Sequence, residues 1–168
     1  MKVKCLLTVV CLALVLALAL PSVQAASAQA TFTDCAAELT LLGYEEGTVS
    51  FHGPNMHIRG RVVWFEQVSD NPLCAGLLTV VVNYNLDADG AGPKWGTFSW
   101  EAAANAPTTG GFEGAFTGWS EEYTWSSSVH AVGRGYGDLD GLQIREFIDF
   151  PTILHGFATV TVLDPHGD

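Results

Sequence analysis

The sequence predicts an all-β protein, a single antiparallel and eight-stranded closed β-barrel, with a β-sandwich as the alternative. Three observations support this fold class. Short runs of β-branched and aromatic residues recur at near-regular spacing, with Gly, Pro, Asn and Asp between them. No long segment with a 3.6-residue period follows residue 42. Glycines recur inside two runs, near 110–118 and 133–137, and such glycines are typical of the strongly coiled strands of small barrels.

The domain organisation is expected to be simple. A signal peptide covers residues 1–25, an N-terminal leader covers 26–43, and the barrel domain covers 44–168. At 168 residues the chain is long enough for one hydrophobic core and short for two. The strands are predicted at residues 44–51, 57–67, 75–86, 94–101, 111–119, 123–134, 142–149 and 154–163.

The N-terminal segment has the features of a secretory signal peptide. Lys2 and Lys4 precede an uncharged run from Cys5 to Leu20, and a small-x-small sequence ends at Ala25. Cleavage after Ala25 is expected, with Ala28 as the alternative position. The apolar run is shorter than the ~20 residues that a membrane-spanning helix needs. We therefore expect a secreted, periplasmic or cell-surface protein that is not inserted in a membrane after cleavage.

The alternation of apolar and polar residues predicts which side chains share a face of each strand. In 57–67, Trp64 and Glu66 lie on one face, and Val63 and Phe65 lie on the other. The pattern is clearest in 75–86, where one face carries Leu78, Val80, Val82, Tyr84 and Leu86. Aromatic pairs alternate with smaller or polar residues in the next two runs, as Phe98 with Trp100 and Phe112 with Phe116.

Two cysteines are expected to form a disulfide. Cys5 and Cys11 would be removed with the signal peptide, which leaves Cys35 and Cys74. An even pair in an oxidising compartment is most simply a structural bridge. Closing a loop of about 40 residues would stabilise the fold by about 4 kcal/mol in the chain-entropy model.

Charge excludes two classes of partner. The chain carries 7 basic and 18 acidic residues, a formal net charge of −11. Nucleic acids and anionic lipid headgroups carry the same sign of charge, so binding to either is disfavoured. With 48% hydrophobic and 15% charged residues, the sequence predicts a packed fold rather than a disordered chain.

Neither a metal nor a cofactor is expected. The sequence from Asn85 to Gly90 resembles the start of a calcium-binding loop, but Gly96 stands where the bidentate glutamate should be. An Asp-Gly hairpin turn accounts for the same residues. The glycine repeat at 133–137 is not followed by a helix, as a phosphate-binding loop would require, and the histidines are scattered.

Three glycine- and aromatic-rich segments resemble the allene oxide cyclase and dirigent superfamily. They are Trp95–Phe98, Gly111–Trp119 and Gly133–Leu142. This resemblance implies an eight-stranded antiparallel barrel with an apolar pocket and, as in the plant members, the steering or cyclisation of a reactive small molecule. No catalytic residue of those families is carried over to this sequence.

Aromatic residues and charges within apolar strands are the candidates for a ligand pocket. An ionised group inside an apolar interior is costly unless it is paired or functional. Aromatic side chains can also simply fill the core. The predicted pocket residues are Trp64, Glu66, Tyr84, Trp100, Phe116, His130, Arg134 and Glu146.

Three functions remain open from the sequence. The first is a secreted barrel that binds a small, mostly apolar ligand in its interior. The second is an extracellular or cell-surface interaction module with a filled barrel. The third is a cyclase or isomerase that acts on a small molecule in the barrel cavity. A cavity would favour the first and third functions, and a fully packed interior would favour the second.

Overall fold

The structure is a computed structural model that describes residues 29–121 and 126–167. The predicted signal peptide, residues 1–25, lies outside the described residues, as does the start of the strand predicted at 123–134. Nine strands and one short 3-10 helix, Pro72–Cys74, make up the described chain. The strands are β1 (Thr31–Glu45), β2 (Thr48–His52), β3 (Asn55–Val68), β4 (Gly76–Leu86), β5 (Gly92–Ala102), β6 (Gly110–Glu121), β7 (Ser126–Gly137), β8 (Gln143–Thr152) and β9 (His155–Asp164).

Eight of these strands form a closed antiparallel barrel, as the sequence predicts. From β3 to β9 each strand pairs with the next one along the chain. β1 pairs with β9 on one side and with β3 on the other, which closes the sheet. β2 is the extra strand and pairs with the first part of β3. The closed sheet confirms the all-β class and rules out the alternative of two separate sheets.

The expectation of an N-terminal leader over residues 26–43 is corrected, because β1 occupies most of this segment. Cys35, Ala37 and Leu39 alternate with exposed residues and face the core. Only Leu39 of these three is a large apolar residue, which weakened the hydrophobic signal of this strand. The strand predicted at 44–51 is instead divided between β1 and β2 at Glu46–Gly47.

The disulfide between Cys35 and Cys74 is confirmed. It joins β1 to the 3-10 helix, with the two Cα atoms 6.5 Å apart. Cys74 is fully buried, so the bridge holds the connection between β3 and β4 against the end of the barrel. A disulfide is compatible with an extracellular location. In the part of the chain that the structure describes, no helix is long and apolar enough to cross a bilayer.

Glycines on β6 and β7 make room for an aromatic ring inside the barrel. Gly114 and Gly133 face each other across the two strands. A Cβ atom on either glycine would lie 2.7 Å from the ring of Phe98, which is buried. The glycine face of β7 therefore points inward, and larger side chains there would displace Phe98.

Candidate ligand site

The barrel interior contains a cavity. It has a volume of about 330 Å³ and lies toward the end where β1, β4, β6 and β8 finish. Its wall is mostly aliphatic and aromatic, with contributions from Val63, Phe65, Val80, Phe116, Ile148 and Phe150. Concave, mostly apolar spaces with a few polar groups are the usual form of small-molecule sites.

Side chains fill the opposite half of the interior. Trp100 and Phe112 are fully buried there, with ring centroids 5.5 Å apart. The turn between β7 and β8 folds back over this end and buries Leu139. The cavity is therefore closed at its inner end by packed side chains.

Lys94 is a buried amine in the cavity wall. Lys94 is the third residue of β5, and its side chain points to the inner face of the barrel, where it is 7% exposed. Its Nζ donates a hydrogen bond of 2.5 Å to the Ser127 hydroxyl and lies 5.3 Å from the centre of the Phe150 ring. No carboxylate among the described residues lies within ion-pair distance of it. Burial lowers the pKa of Lys94 from 10.5 to about 7, because the charged form loses its hydration.

A cation and two tyrosines line the cavity on the β1, β3 and β4 side. Arg61 donates a 2.6 Å hydrogen bond to the exposed Glu46 carboxylate. Its guanidinium also lies 5.6 Å from the ring centre of Tyr44 and 6.0 Å from that of Tyr84. Burial raises the pKa of Tyr84, and the charge of Arg61 opposes this effect. The Arg61 charge is thus largely satisfied by the protein itself.

Glu146 is buried in the filled half of the barrel. It accepts a 3.2 Å hydrogen bond from Gln67 Nε2, which also donates to the carbonyl of Cys74 at 3.1 Å. Burial raises the pKa of Glu146 to about 7, and the Gln67 hydrogen bond partly opposes this rise. Glu146 does not border the cavity. Its surroundings assign it to the polar part of the core.

The structure separates the predicted pocket residues into three groups. Tyr84 and Phe116 line the cavity. Trp100 and Glu146 are inside the barrel but in its filled half. The remaining four lie on the outer face, so their assignment to an interior pocket is corrected: Trp64, Glu66, His130 and Arg134.

A β-bulge explains the two errors on β3. The pairing with β4 shifts between Ile58 and Arg61, so both of these residues point inward. Gly60 takes the left-handed conformation within the bulge, with φ of 69°. Beyond the bulge Val63 and Phe65 form the inner face, and the alternation that includes Trp64 and Glu66 is outside.

The errors on β7 have a different cause. His130 and Arg134 share the face opposite the strand's glycines, and their assignment to the pocket requires this face to point inward. The glycine face is the inner one because Phe98 packs over Gly133. His130 instead packs on the exposed ring of Phe147, with ring centroids 4.8 Å apart.

Sequence reasoning missed the polar residues of the cavity. Lys94, Arg61 and Ser127 were not among the predicted pocket residues. A compositional signal did point to Lys94, because it is the only lysine beyond Lys4 and stands in a strand rich in aromatic residues. The bulge hid the inward position of Arg61.

Neither comparison with known proteins nor the remaining sequence motifs assign a chemical role to this site. No protein-family model and no curated protein matches this chain. Among the described residues, no group of three or more His, Cys, Asp or Glu side chains is arranged to hold a metal ion. Asp87 accepts hydrogen bonds from the backbone amides of Asp89 and Ala91 at 3.0 and 2.9 Å, as in an Asx-stabilised turn.

Proposed function

We propose that this protein is an exported β-barrel that binds a small, mostly apolar ligand in its interior. The observation that carries the proposal is the cavity of about 330 Å³ with its predominantly apolar wall. Burial of apolar ligand surface in such a site contributes roughly 25 cal/mol for each Å² removed from water. Lys94 and Ser127 supply polar groups that could orient one end of the ligand. The disulfide and the predicted signal peptide support export.

Filling the cavity tests this proposal. Val80 lines the cavity, and its neighbour Val81 points outward and is 39% exposed. We expect the V80F variant to bind the neutral apolar dye N-phenyl-1-naphthylamine at least tenfold more weakly than the unmodified protein, because the new ring occupies the space. The V81F variant is the matched control and should bind the dye normally. Fluorescence titration measures binding, and circular dichroism confirms that each variant is folded.

Two results would contradict the proposal. One is the absence of dye binding by the unmodified protein. The other is equal dye affinity in folded V80F and in V81F, since this would place the dye on the outer surface. If neither result is found, native mass spectrometry of the protein from its own secretion medium would identify the class of the natural ligand.

Catalysis in the same cavity is the second candidate, in the form of a cyclase or isomerase. Lys94 favours it, because an amine with a pKa of about 7 can exchange protons at neutral pH. An isomerase would convert a bound compound to a second isomer that chromatography separates, and the K94M variant would return the compound unchanged. A binding protein would return it unchanged with or without Lys94.

A further inference from the structure

We propose that Lys94 forms a reversible imine with an aldehyde or ketone group of the ligand in the cavity. This inference rests on the proposed function, and it names the chemical class of the ligand. It makes Lys94 the residue that captures the ligand, with the apolar wall holding the rest of the molecule.

The position of the amine is the first argument. Lys94 borders the cavity, and its Nζ lies beside the Ser127 hydroxyl and near the Phe150 ring. Ser120 borders the same space. A carbonyl compound in the cavity therefore has a primary amine and two hydroxyl groups along the wall that surrounds it.

The state of the amine is the second argument. A lysine nucleophile acts through its neutral form, and an apolar pocket that removes water favours that form. With a pKa of about 7, roughly half of the Lys94 amine is neutral at pH 7. For an ordinary lysine in water the neutral fraction at this pH is roughly one in 3,000. Burial thus raises the supply of nucleophile by about three orders of magnitude.

Charge favours a neutral carbonyl compound over a carboxylate. The chain has a net charge of −11, which repels anions. The second cation of the cavity, Arg61, is engaged by Glu46 and by two tyrosine rings. A neutral aldehyde or ketone enters the apolar space without the desolvation cost of a charged group.

The reaction balances without an oxidant or a reductant. The Lys94 nitrogen attacks the carbonyl carbon, a C–N bond forms, and one nitrogen proton passes to the carbonyl oxygen to give a carbinolamine. The C–O bond then breaks, and the hydroxyl leaves with the second nitrogen proton as water. The Ser127 hydroxyl accepts a hydrogen bond from the amine, and its own O–H can donate a hydrogen bond to the departing oxygen without losing its proton.

Trapping of the imine with cyanoborohydride tests the inference. The secreted protein is incubated with decanal at pH 7, reduced with sodium cyanoborohydride and digested for peptide mapping. Lys94 is the only lysine beyond Lys4, so the α-amino terminus and Lys94 are the amines to compare after signal cleavage. We expect labelling at Lys94 to be at least tenfold faster than at the α-amino terminus.

Variants separate this inference from the proposed function. The K94M variant should form no internal adduct, because it lacks the amine. The V80F variant should lose the Lys94 adduct, and V81F should keep it. Dye binding without preferential labelling of Lys94 would overturn the inference and leave the proposed function standing. Displacement of the dye from the unmodified protein by decanoate, without an aldehyde adduct, would likewise overturn it.

Discussion

At the residue scale, Lys94 and Glu146 show how one barrel treats two buried ionisable groups. They lie at opposite ends of the interior, and burial is the main cause of both pKa shifts. Each shift favours the neutral form, because among the described residues neither group has a charged partner that would offset its lost hydration. Lys94 borders an empty space, whereas Glu146 is packed among side chains. Their surroundings therefore give them different roles.

The Glu146 shift predicts a specific dependence of stability on pH. The folded carboxyl has a pKa of about 7 and the unfolded one has a pKa of about 4.5. The folded state thus binds more protons between these values, and stability should fall as pH rises from 4.5 to 7. Relative to the unmodified protein, E146Q should gain on the order of 3 kcal/mol between pH 4.5 and pH 8.

Urea unfolding of both proteins across this pH range measures the difference. The comparison cancels the contributions of the other titrating groups. Parallel stability curves for E146Q and the unmodified protein would show that the Glu146 carboxyl titrates normally in the folded state.

At the element scale, the β-bulge in β3 decides which residues face the cavity. It turns both Ile58 and Arg61 inward and reverses the alternation that follows. The strand itself could be predicted from its sequence, and so could its neighbour β4, where Leu78, Val82 and Leu86 are buried as their alternation indicates. The inward-pointing face of β3 could not be predicted, because an extra residue in one strand leaves composition and strand length almost unchanged.

Replacing the bulge glycine should destabilise the protein. Gly60 has a φ of 69°, and a Cβ there would meet no atom within 4 Å. The cost of G60A therefore comes from the backbone alone and should be about 1 kcal/mol. G43A is the matched control, since its Cβ would make an ordinary 3.9 Å contact with Trp64 and no positive φ is involved. Equal unfolding midpoints in urea for the two variants would contradict this account.

At the scale of the whole molecule, the closed barrel could be predicted and the division of its interior could not. Run spacing and glycine placement indicated the closed sheet. The division of the interior into a filled part and a cavity depends on which side chains from different strands meet at the same level along the barrel axis. Trp100 and Phe112 meet at the filled end, whereas smaller residues such as Val63, Val80 and Val129 meet at the other. These heights depend on strand register, which the sequence does not display.

The disulfide should matter for global stability, because it closes a loop with a sequence separation of 39 residues. The double variant C35A/C74A leaves no unpaired thiol at this position and should lose about 4 kcal/mol of unfolding free energy. The folded barrel should persist, since β1 remains paired with both β3 and β9. Urea unfolding monitored by tryptophan fluorescence measures the loss. A change below about 1 kcal/mol would show that the bridge constrains the unfolded chain little.

The packed floor formed by Trp100, Phe112 and Leu139 makes this barrel a cup rather than a tube. Among the described residues, these packed side chains close the barrel end opposite the cavity. A ligand that reached the cavity would therefore meet a closed inner end rather than a continuous channel. If Lys94 holds the ligand as an imine, hydrolysis of that bond would set the residence time of the ligand more strongly than the width of the cavity opening.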